Sequence, residues 1–246
     1  MVREPRGSTP RRRVAAAAAR VIGLLLPALA LQACFDVHQG DPGNGRFVID
    51  DFEDGDTLPK APSFQKWNCF TFNPNIGQDP AQSVNCGLET PGDASGYALF
   101  AAFTLHDPPD GTLQWGGAAL VTITYPMVDF NGYHNLVFSL RVDRGNLPSA
   151  AFAHVVLDCN SVIAESPKKP GENFAVDQQI VATDTWSTFK LELSKFTQPL
   201  WQLNRFAGGM QACLAVIDSV NFQVAGQLAD GQSAYGVIHI DNIYLE

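Results

Sequence analysis

Residues 235–245 read YGVIHIDNIYL, and this stretch decides the fold class. β-Branched and aromatic residues dominate it, and its length is that of a β-strand. Seven further runs of apolar or alternating residues share this character and are separated by turn residues such as Asn131-Gly132. No helical period persists for three turns after position 33. The pattern predicts an all-β domain, a jelly-roll β-sandwich whose other strands are 47–52, 97–105, 118–125, 136–142, 152–157, 188–193 and 216–224.

The composition and charge of the chain narrow its class. Of its 246 residues, 46% are apolar, which is enough to offset the entropy of ordering the chain and excludes intrinsic disorder. Only 17% are charged, and the 21 glycines and 16 prolines argue against a helical bundle. The formal net charge of −9 makes nucleic acid a poor partner, because phosphates require a basic surface.

The first 33 residues have the features of a secretory signal peptide. Five arginines between positions 3 and 13 form a basic head, and the run 14–31 is largely apolar, with Arg20 as its only charge. The uncharged part, 21–31, is shorter than the ~20 residues that a membrane-spanning helix needs. These 33 residues hold six of the sixteen basic residues and one of the 25 acidic ones, so the remainder has a net charge near −14.

The end of this leader, Leu31-Gln32-Ala33-Cys34, resembles a bacterial lipobox, in which the cysteine is lipidated and becomes the new N-terminus. The alternative is ordinary signal cleavage, which would leave Cys34 as a plain thiol. The polar stretch 34–45 then forms a tether from a membrane anchor to the domain 46–246. Because Phe35 and not aspartate follows the cysteine, we expect an outer-membrane or cell-surface lipoprotein of the bacterial envelope. The alternative location is secreted or periplasmic.

Four more cysteines lie in the predicted β-domain. An even number of cysteines in an oxidising compartment indicates two disulfides, which can pair in three ways. We favour Cys69–Cys86, which share an irregular loop region, and Cys159–Cys213, which lie near predicted strands. A zinc site is the alternative, but no pair has the close spacing of a zinc knuckle.

Acidic residues crowd the end of the first predicted strand, in the stretch 49–56, IDDFEDGD. Strand alternation places Asp51 and Glu53 on one face and Asp50 and Asp54 on the other. Carboxylates packed this closely repel one another and favour a hard cation such as Ca²⁺. The alternative is a solvated acidic patch that starts a turn.

Three motifs in order carry a family resemblance: VIDDFEDGD at 48–56, TWSTFKLELSKF at 185–196 and VIHIDNIYL at 237–245. Together they resemble family 11 carbohydrate-binding modules and the complex I intermediate-associated family, which share a galactose-binding-like jelly roll. The similarity spans residues 47–246. The resemblance implies a structural Ca²⁺ between the first and last strands, with Glu53 and Asp241 as carboxylate ligands and Asp51 as a third.

The same resemblance implies a saccharide-binding face with aromatic and polar side chains. Aromatic rings suit the apolar faces of pyranoses, while amides and carboxylates suit their hydroxyl groups. Trp115 occupies a tryptophan–glycine position of the family, and Gln178 stands where the family can offer a tyrosine. The other candidates for a binding platform are Tyr125, Tyr133, His134, Trp67 and Trp201. The alternative for each of these aromatic residues is a buried role in the core.

The chain carries none of the common catalytic motifs, such as the nucleophile elbow, the metalloprotease helix or the phosphate-binding loop. We therefore predict that it is not an enzyme. The leading hypothesis is a non-catalytic, lipid-anchored protein that binds a poly- or oligosaccharide. The first alternative is an assembly lipoprotein that binds a protein partner with the same jelly roll, and the second is a glycan-active enzyme with two facing carboxylates.

Overall fold

Eleven strands form two antiparallel sheets in the part of the chain that the computed structural model describes, which is residues 45–72, 83–93, 96–106, 114–147, 152–170, 172–228 and 231–246. The predicted signal peptide, Cys34 and almost all of the tether lie outside these residues. The strands are β1 (Phe47–Asp50), β2 (Asn68–Phe72), β3 (Ser83–Glu89), β4 (Ala98–His106), β5 (Gln114–Val128), β6 (Asn135–Asp143), β7 (Phe152–Asp158), β8 (Ala175–Ile180), β9 (Ser187–Glu192), β10 (Ile217–Leu228) and β11 (Ser233–Leu245).

Helical structure in the described residues is confined to two short pieces. A 3-10 turn spans Leu193–Lys195, and helix α1 spans Gly209–Leu214. Neither is long or apolar enough to cross a membrane.

The strands are arranged in a six-stranded first sheet and a five-stranded second sheet. The first sheet has the order β3-β4-β11-β6-β9, and β1 also pairs with β11. The second sheet has the order β2-β5-β10-β7-β8. Because β11 pairs with both β4 and β6, the YGVIHIDNIYL stretch lies at the centre of the first sheet. The all-β jelly-roll sandwich predicted from the sequence is confirmed.

The core lies between the two sheets and is built by alternate residues of each strand. Phe138 of β6 and Phe222 of β10 are buried there, with ring centroids 4.9 Å apart in an edge-on arrangement. This contact joins the two sheets directly. Burying one such side chain contributes roughly 2–3 kcal/mol. The residues between the core positions project from the outer faces of the sandwich.

Both predicted disulfides are present. Cys69 of β2 and Cys86 of β3 are bonded, which links an edge of the second sheet to an edge of the first. Cys159, directly after β7, is bonded to Cys213 of α1. The favoured pairing among the three possible ones is therefore confirmed.

All eight predicted runs form strands, but three further strands were not predicted from the sequence. The missed strands β2, β3 and β8 all lie at the edge of a sheet. Edge strands are commonly short and polar, which lowers the signal on which the prediction depends. The AVDQQI of β8, for example, carries three consecutive polar residues.

Candidate functional site

The outer face of the second sheet carries polar and aromatic residues in register across its five strands, and we call it the second-sheet face. Residues that pair across neighbouring strands project to the same side of a sheet. One row crosses all five strands and consists of Phe70, Ala119, Gln223, His154 and Gln179. Since neighbouring strands lie ~4.8 Å apart, this row is ~19 Å long. It faces outwards because its neighbours along the three central strands are core residues, namely Leu120, Phe222 and Val155.

Two phenyl rings occupy the β2 side of this face. The ring centroids of Phe70 and Phe72 are 6.2 Å apart, and Phe70 is 41% exposed. Phe72 pairs with Gly117 of β5, and a Cβ at that glycine would lie 2.4 Å from the phenyl ring. The ring therefore lies across β5 at a position where only a hydrogen atom fits. Together the two rings form an apolar surface at one end of the face.

The β7 and β8 side of the face is polar and internally hydrogen-bonded. Asp158 accepts hydrogen bonds from the hydroxyl of Ser219 and from Nδ2 of Asn221, the latter at 2.7 Å. Burial raises the pKa of the Asp158 carboxyl above its ordinary value. Nδ1 of His154 lies 3.3 Å from a carboxylate oxygen of Asp177 on β8. Ser219 and Asn221 are buried. The groups that this half of the face presents are therefore the amides of Gln223 and Gln179 and the paired His154 imidazole and Asp177 carboxylate.

A second cluster of charged residues lies on the outer face of the first sheet. His239 is buried between two carboxylates, since one ring nitrogen contacts Glu89 and the other lies 2.9 Å from Asp143. The Arg141 guanidinium lies 3.4 Å from Glu89 and 5.3 Å from the ring centroid of Trp186. Each charge in this cluster has a partner of opposite charge. The cluster is therefore a closed ion-pair network, and the second-sheet face is the better candidate site.

Comparison with solved structures finds similar β-sandwiches. The family 11 carbohydrate-binding module from Clostridium thermocellum in complex with a β-1,3-1,4-mixed-linked tetrasaccharide is 16% identical at a TM-score of 0.47, over 81% of this chain and 94% of the module. The family 11 module of a cellulosomal cellulase from the same organism is 16% identical at a TM-score of 0.46, over 81% and 93%. An exo-β-agarase is 14% identical at a TM-score of 0.39, over 81% of this chain and 25% of the agarase.

The chain is similar to these family 11 carbohydrate-binding modules in its fold, at 16% sequence identity. Comparison with protein-family models finds no match, and comparison with curated proteins finds none either.

The five predicted ligand-binding residues lie in different parts of the sandwich. Tyr133 and His134 line a pocket of about 450 Å³ beside α1, before β6 begins. Tyr125 is 80% exposed near the end of β5. The backbone of Trp115 pairs with Gln227, and its side chain lies outside the described residues. Gln178 pairs with the core residue Val155 and therefore lies on the opposite side of β8 from the second-sheet face.

Two further tryptophans were candidates for a binding platform. Trp67 is only 2% exposed and donates a hydrogen bond to Asp50, so its assignment to a surface platform is wrong. Burial against Phe52 and Phe222 gives it a role in the core instead. Trp201, by contrast, is 64% exposed in the segment that follows β9.

The three predicted calcium ligands have separate surroundings. Asp51 makes an ion pair of 2.5 Å with Lys60. Asp241 is fully buried and accepts a hydrogen bond from the backbone N–H of Asp93 at 3.1 Å. The Glu53 carboxylate lies against Gly96, which belongs to the same β3–β4 connection as Asp93. A Cβ atom added at Gly96 would lie 2.0 Å from a carboxylate oxygen of Glu53. The described residues contain no group of three or more His, Cys, Asp and Glu arranged around a metal position.

Asp93 is the acidic residue that sequence reasoning missed beside Asp241. Its carboxylate accepts hydrogen bonds from the Ser139 hydroxyl and from Nδ2 of Asn242, the latter at 2.7 Å. Burial, together with the neighbouring Asp93 charge, raises the pKa of Asp241 to about 7. Two adjacent carboxylates, one of them buried, fit a hard cation at this end of β11. Asp93 lies in a loop without a motif, and no signal in the sequence marks it.

Proposed function

We propose that the protein is a non-catalytic saccharide-binding protein of the bacterial cell envelope, which holds a poly- or oligosaccharide on the second-sheet face. The observation that carries this proposal is that two kinds of surface lie on one face. The Phe70 and Phe72 rings lie on its β2 side, and the polar residues around His154 lie on its β7 and β8 side. A pyranose has apolar C–H faces and a rim of hydroxyl groups, so its recognition requires both kinds of surface.

The apolar half supplies stacking surface. Phe70 is 41% exposed, and its neighbour in the row is the small, fully buried Ala119. The Phe72 ring lies across Gly117 in the next row. A sugar ring on this side contacts aromatic faces at little cost in conformational entropy, because phenyl side chains have few rotamers.

The polar half supplies hydrogen bonds in both directions. The Gln223 and Gln179 side chains each offer an amide donor and a carbonyl acceptor. His154 and Asp177 hold one another at 3.3 Å, so the imidazole and the carboxylate are positioned before the ligand arrives. Preorganised groups lose less entropy on binding. Because hydroxyl groups both donate and accept, this mixture suits a sugar better than it suits an anion.

We infer that the face is not catalytic because its carboxylates already have partners. Asp158 accepts from Ser219 and Asn221, and Asp177 faces His154. Glycoside hydrolysis needs one carboxylic acid and one carboxylate that both face the scissile bond. Incubation with any polysaccharide that the protein binds should therefore release no reducing ends.

A polysaccharide array followed by affinity electrophoresis tests the proposal. Phe70→Ala should weaken binding about tenfold, since aromatic contacts of this kind are worth ~1 kcal/mol or slightly more. His154→Ala should weaken it as well. Tyr235→Ala is the matched control, because this exposed tyrosine lies on β11 of the other sheet. Wild-type protein that binds no saccharide, or a Phe70→Ala variant that binds as wild type does, would contradict the proposal.

We also propose that Ca²⁺ binds next to Asp241, with Asp93 as the adjacent carboxylate. The buried position of Asp241 and its raised pKa support this placement, since a cation would offset the cost of its charge. The ion would fasten the end of β11 to the β3–β4 connection and has no part in saccharide binding.

A further inference from the structure

We propose that the loop of residues 199–203 contacts the surface of a lipid bilayer through Leu200, Trp201 and Leu203. This contact would hold the domain against the membrane to which Cys34 is expected to anchor it. The inference uses the proposed lipid anchor only as the reason that a bilayer is near. It does not depend on saccharide binding.

The loop exposes large apolar side chains to an unusual degree. Leu200 is 91% exposed, Leu203 is 89% exposed and Trp201 is 64% exposed. Scattered single apolar residues are normal on a protein surface, but three within four positions form a patch that favours an apolar partner.

The backbone of the loop is fixed so that these side chains point outwards. Gln202, the polar residue among them, is only 3% exposed, and its Oε1 accepts the backbone N–H of Ala175 at 3.0 Å. Its backbone N–H donates to the Pro199 carbonyl at 3.1 Å, which closes a turn. The usual arrangement, with apolar residues inside and polar ones outside, is reversed here.

The start of the loop is tied to the edge of the second sheet. Thr197 and Asp177 of β8 exchange two backbone hydrogen bonds, of 2.8 and 3.0 Å. Edge strands otherwise present unpaired backbone groups, and this contact covers β8. The apolar side chains are therefore preorganised, and little further ordering is needed on contact.

Basic residues surround the loop in an otherwise acidic protein. Nδ2 of Asn204 donates to the Ser166 carbonyl at 3.2 Å, which brings the 166–170 segment beside the loop. Lys168 and Lys169 of that segment and Arg205 are all exposed. They are three of the ten basic residues that follow position 33. The acidic residues of this region are Glu165 and Glu172.

One of these two acidic residues is engaged within the region. Glu172 accepts hydrogen bonds from the backbone N–H of Lys169 at 2.9 Å and from Nδ2 of Asn204 at 3.0 Å. Nζ of Lys168 donates to the Asn160 carbonyl at 3.2 Å and lies 5.0 Å from the ring centroid of Phe174. Lys169 and Arg205 are the cations that can approach anionic headgroups. Tryptophan at the interface, leucines below it and cations around it are the pattern of a membrane-contacting surface.

The predicted tether makes even a weak contact effective. The eleven residues 35–45 span at most about 40 Å when fully extended, so an anchored domain stays within that distance of the bilayer. Such a tether gives an effective concentration in the millimolar range, at which three side chains can hold the loop in place. A saccharide partner would account for the exposure of Trp201 but not for that of Leu200 and Leu203.

Quenching by brominated lipid tests the contact on the full-length, lipid-modified protein in vesicles that contain anionic phospholipid. Bromine in the acyl chains quenches tryptophan only at close range, so an anchor alone produces no signal from this domain. We expect quenching in the wild type that Trp201→Phe removes. Trp186→Phe is the matched control, since Trp186 stacks on Arg141 of the first sheet and should leave the quenching unchanged.

Three results would overturn the inference. Equal quenching in the wild type and Trp201→Phe would show that the loop does not reach the lipid. A soluble polysaccharide that shields Trp201 from a water-soluble quencher would assign the loop to the saccharide surface. Trp201 that is shielded from the same quencher in protein without vesicles would assign the loop to a contact with a second copy of the chain. A Leu200→Ser, Leu203→Ser double variant should lose the quenching, whereas Leu58→Ser, at a residue 56% exposed elsewhere, should keep it.

The lipid-quenching test and the saccharide-binding test have independent outcomes. Phe70→Ala removes a ring on β2, at the far edge of the second sheet from the loop, and should leave lipid quenching intact. Lipid quenching that survives in a protein without saccharide binding would sustain the inference and remove the proposed function.

Discussion

The indole N–H of Trp67 donates a hydrogen bond of 2.8 Å to a carboxylate oxygen of Asp50, and both side chains are buried. Asp50 ends β1 of the first sheet, and Trp67 directly precedes β2 of the second. The other carboxylate oxygen of Asp50 accepts the backbone N–H of Phe52 at 3.0 Å. Asp50, one residue of the acidic stretch, is thus buried inside the sandwich, while its neighbours Asp51 and Glu53 lie at the surface.

Stability should fall as the pH rises from about 4 to about 7. Burial raises the pKa of Asp50 to about 7 from 3.8, so between these values the native state binds a proton that the unfolded state has released. The stabilisation is fully present below the lower value and is lost as the pH passes the upper one. The loss amounts to at most about 4 kcal/mol for this group.

Urea unfolding at pH 5 and pH 8, in the presence of a chelator, measures this dependence. We expect a lower midpoint at pH 8, and a smaller difference in an Asp50→Asn variant. Asp241, whose pKa burial also raises to about 7, should maintain part of the dependence in that variant. Asp184→Asn, at an exposed aspartate, is the control that should change nothing. A midpoint that is higher at pH 8 would show that Asp50 is not buried as described.

Removal of Ca²⁺ should lower the melting temperature. A ligand that binds only the native state stabilises it by mass action, by about 2.7 kcal/mol at one hundred times its dissociation constant. Asp241→Asn should abolish the effect of the chelator, and Asp184→Asn should not. Because the ion requires the ionised carboxylate, its affinity should increase between pH 6 and pH 8. An unchanged melting curve with and without chelator would remove the calcium proposal.

Gly117→Ala should destabilise the protein and weaken saccharide binding together. A Cβ at this position would lie 2.4 Å from the Phe72 ring and 2.6 Å from the carbonyl oxygen of Val224, so both β10 and the ring must shift. Overpacking of this kind costs ~1–3 kcal/mol. Gly132→Ala is the matched control, since a Cβ there meets no atom within 4 Å. Chemical unfolding measures the loss of stability, and affinity electrophoresis measures the loss of saccharide binding. A Gly117→Ala variant that binds saccharide as the wild type does would show that Phe72 is not part of the binding face.

Cys34→Ser should release the protein from the membrane fraction. The four other cysteines form the two disulfides, which leaves Cys34 as the residue available for lipid. Metabolic labelling with an alkyne-bearing fatty acid should mark the wild type and not the variant. A wild type that takes up no label would instead support ordinary signal cleavage.

The central strands could be predicted from the sequence because they are apolar on at least one side. The YGVIHIDNIYL stretch lies in β11, and the other seven runs also form strands. The disulfide pairing was predictable as well, from the positions of four cysteines that follow a predicted signal peptide. The edge strands β2, β3 and β8 were not, since solvent on one side permits polar residues that remove the pattern.

The candidate face illustrates what only the tertiary structure decided. Phe70, Gln223 and His154 lie on three strands that are far apart in sequence, and the pairing of these strands places them in one row. A shift of one residue in any strand would turn its side chains to the other side of the sheet. This is why Gln178, predicted as a ligand residue, lies on the core side of β8.

The sequence by itself determined the fold class, the disulfides and the positions of the acidic motif, because each depends on residues that are near in sequence or few in number. The tertiary structure decided which polar residues meet. It buried Asp50 under Trp67 and placed Asp93 beside Asp241, two contacts across 17 and 148 residues of chain. The physical reason is that strand order and register are set by the packing of the whole core, and no local pattern contains them.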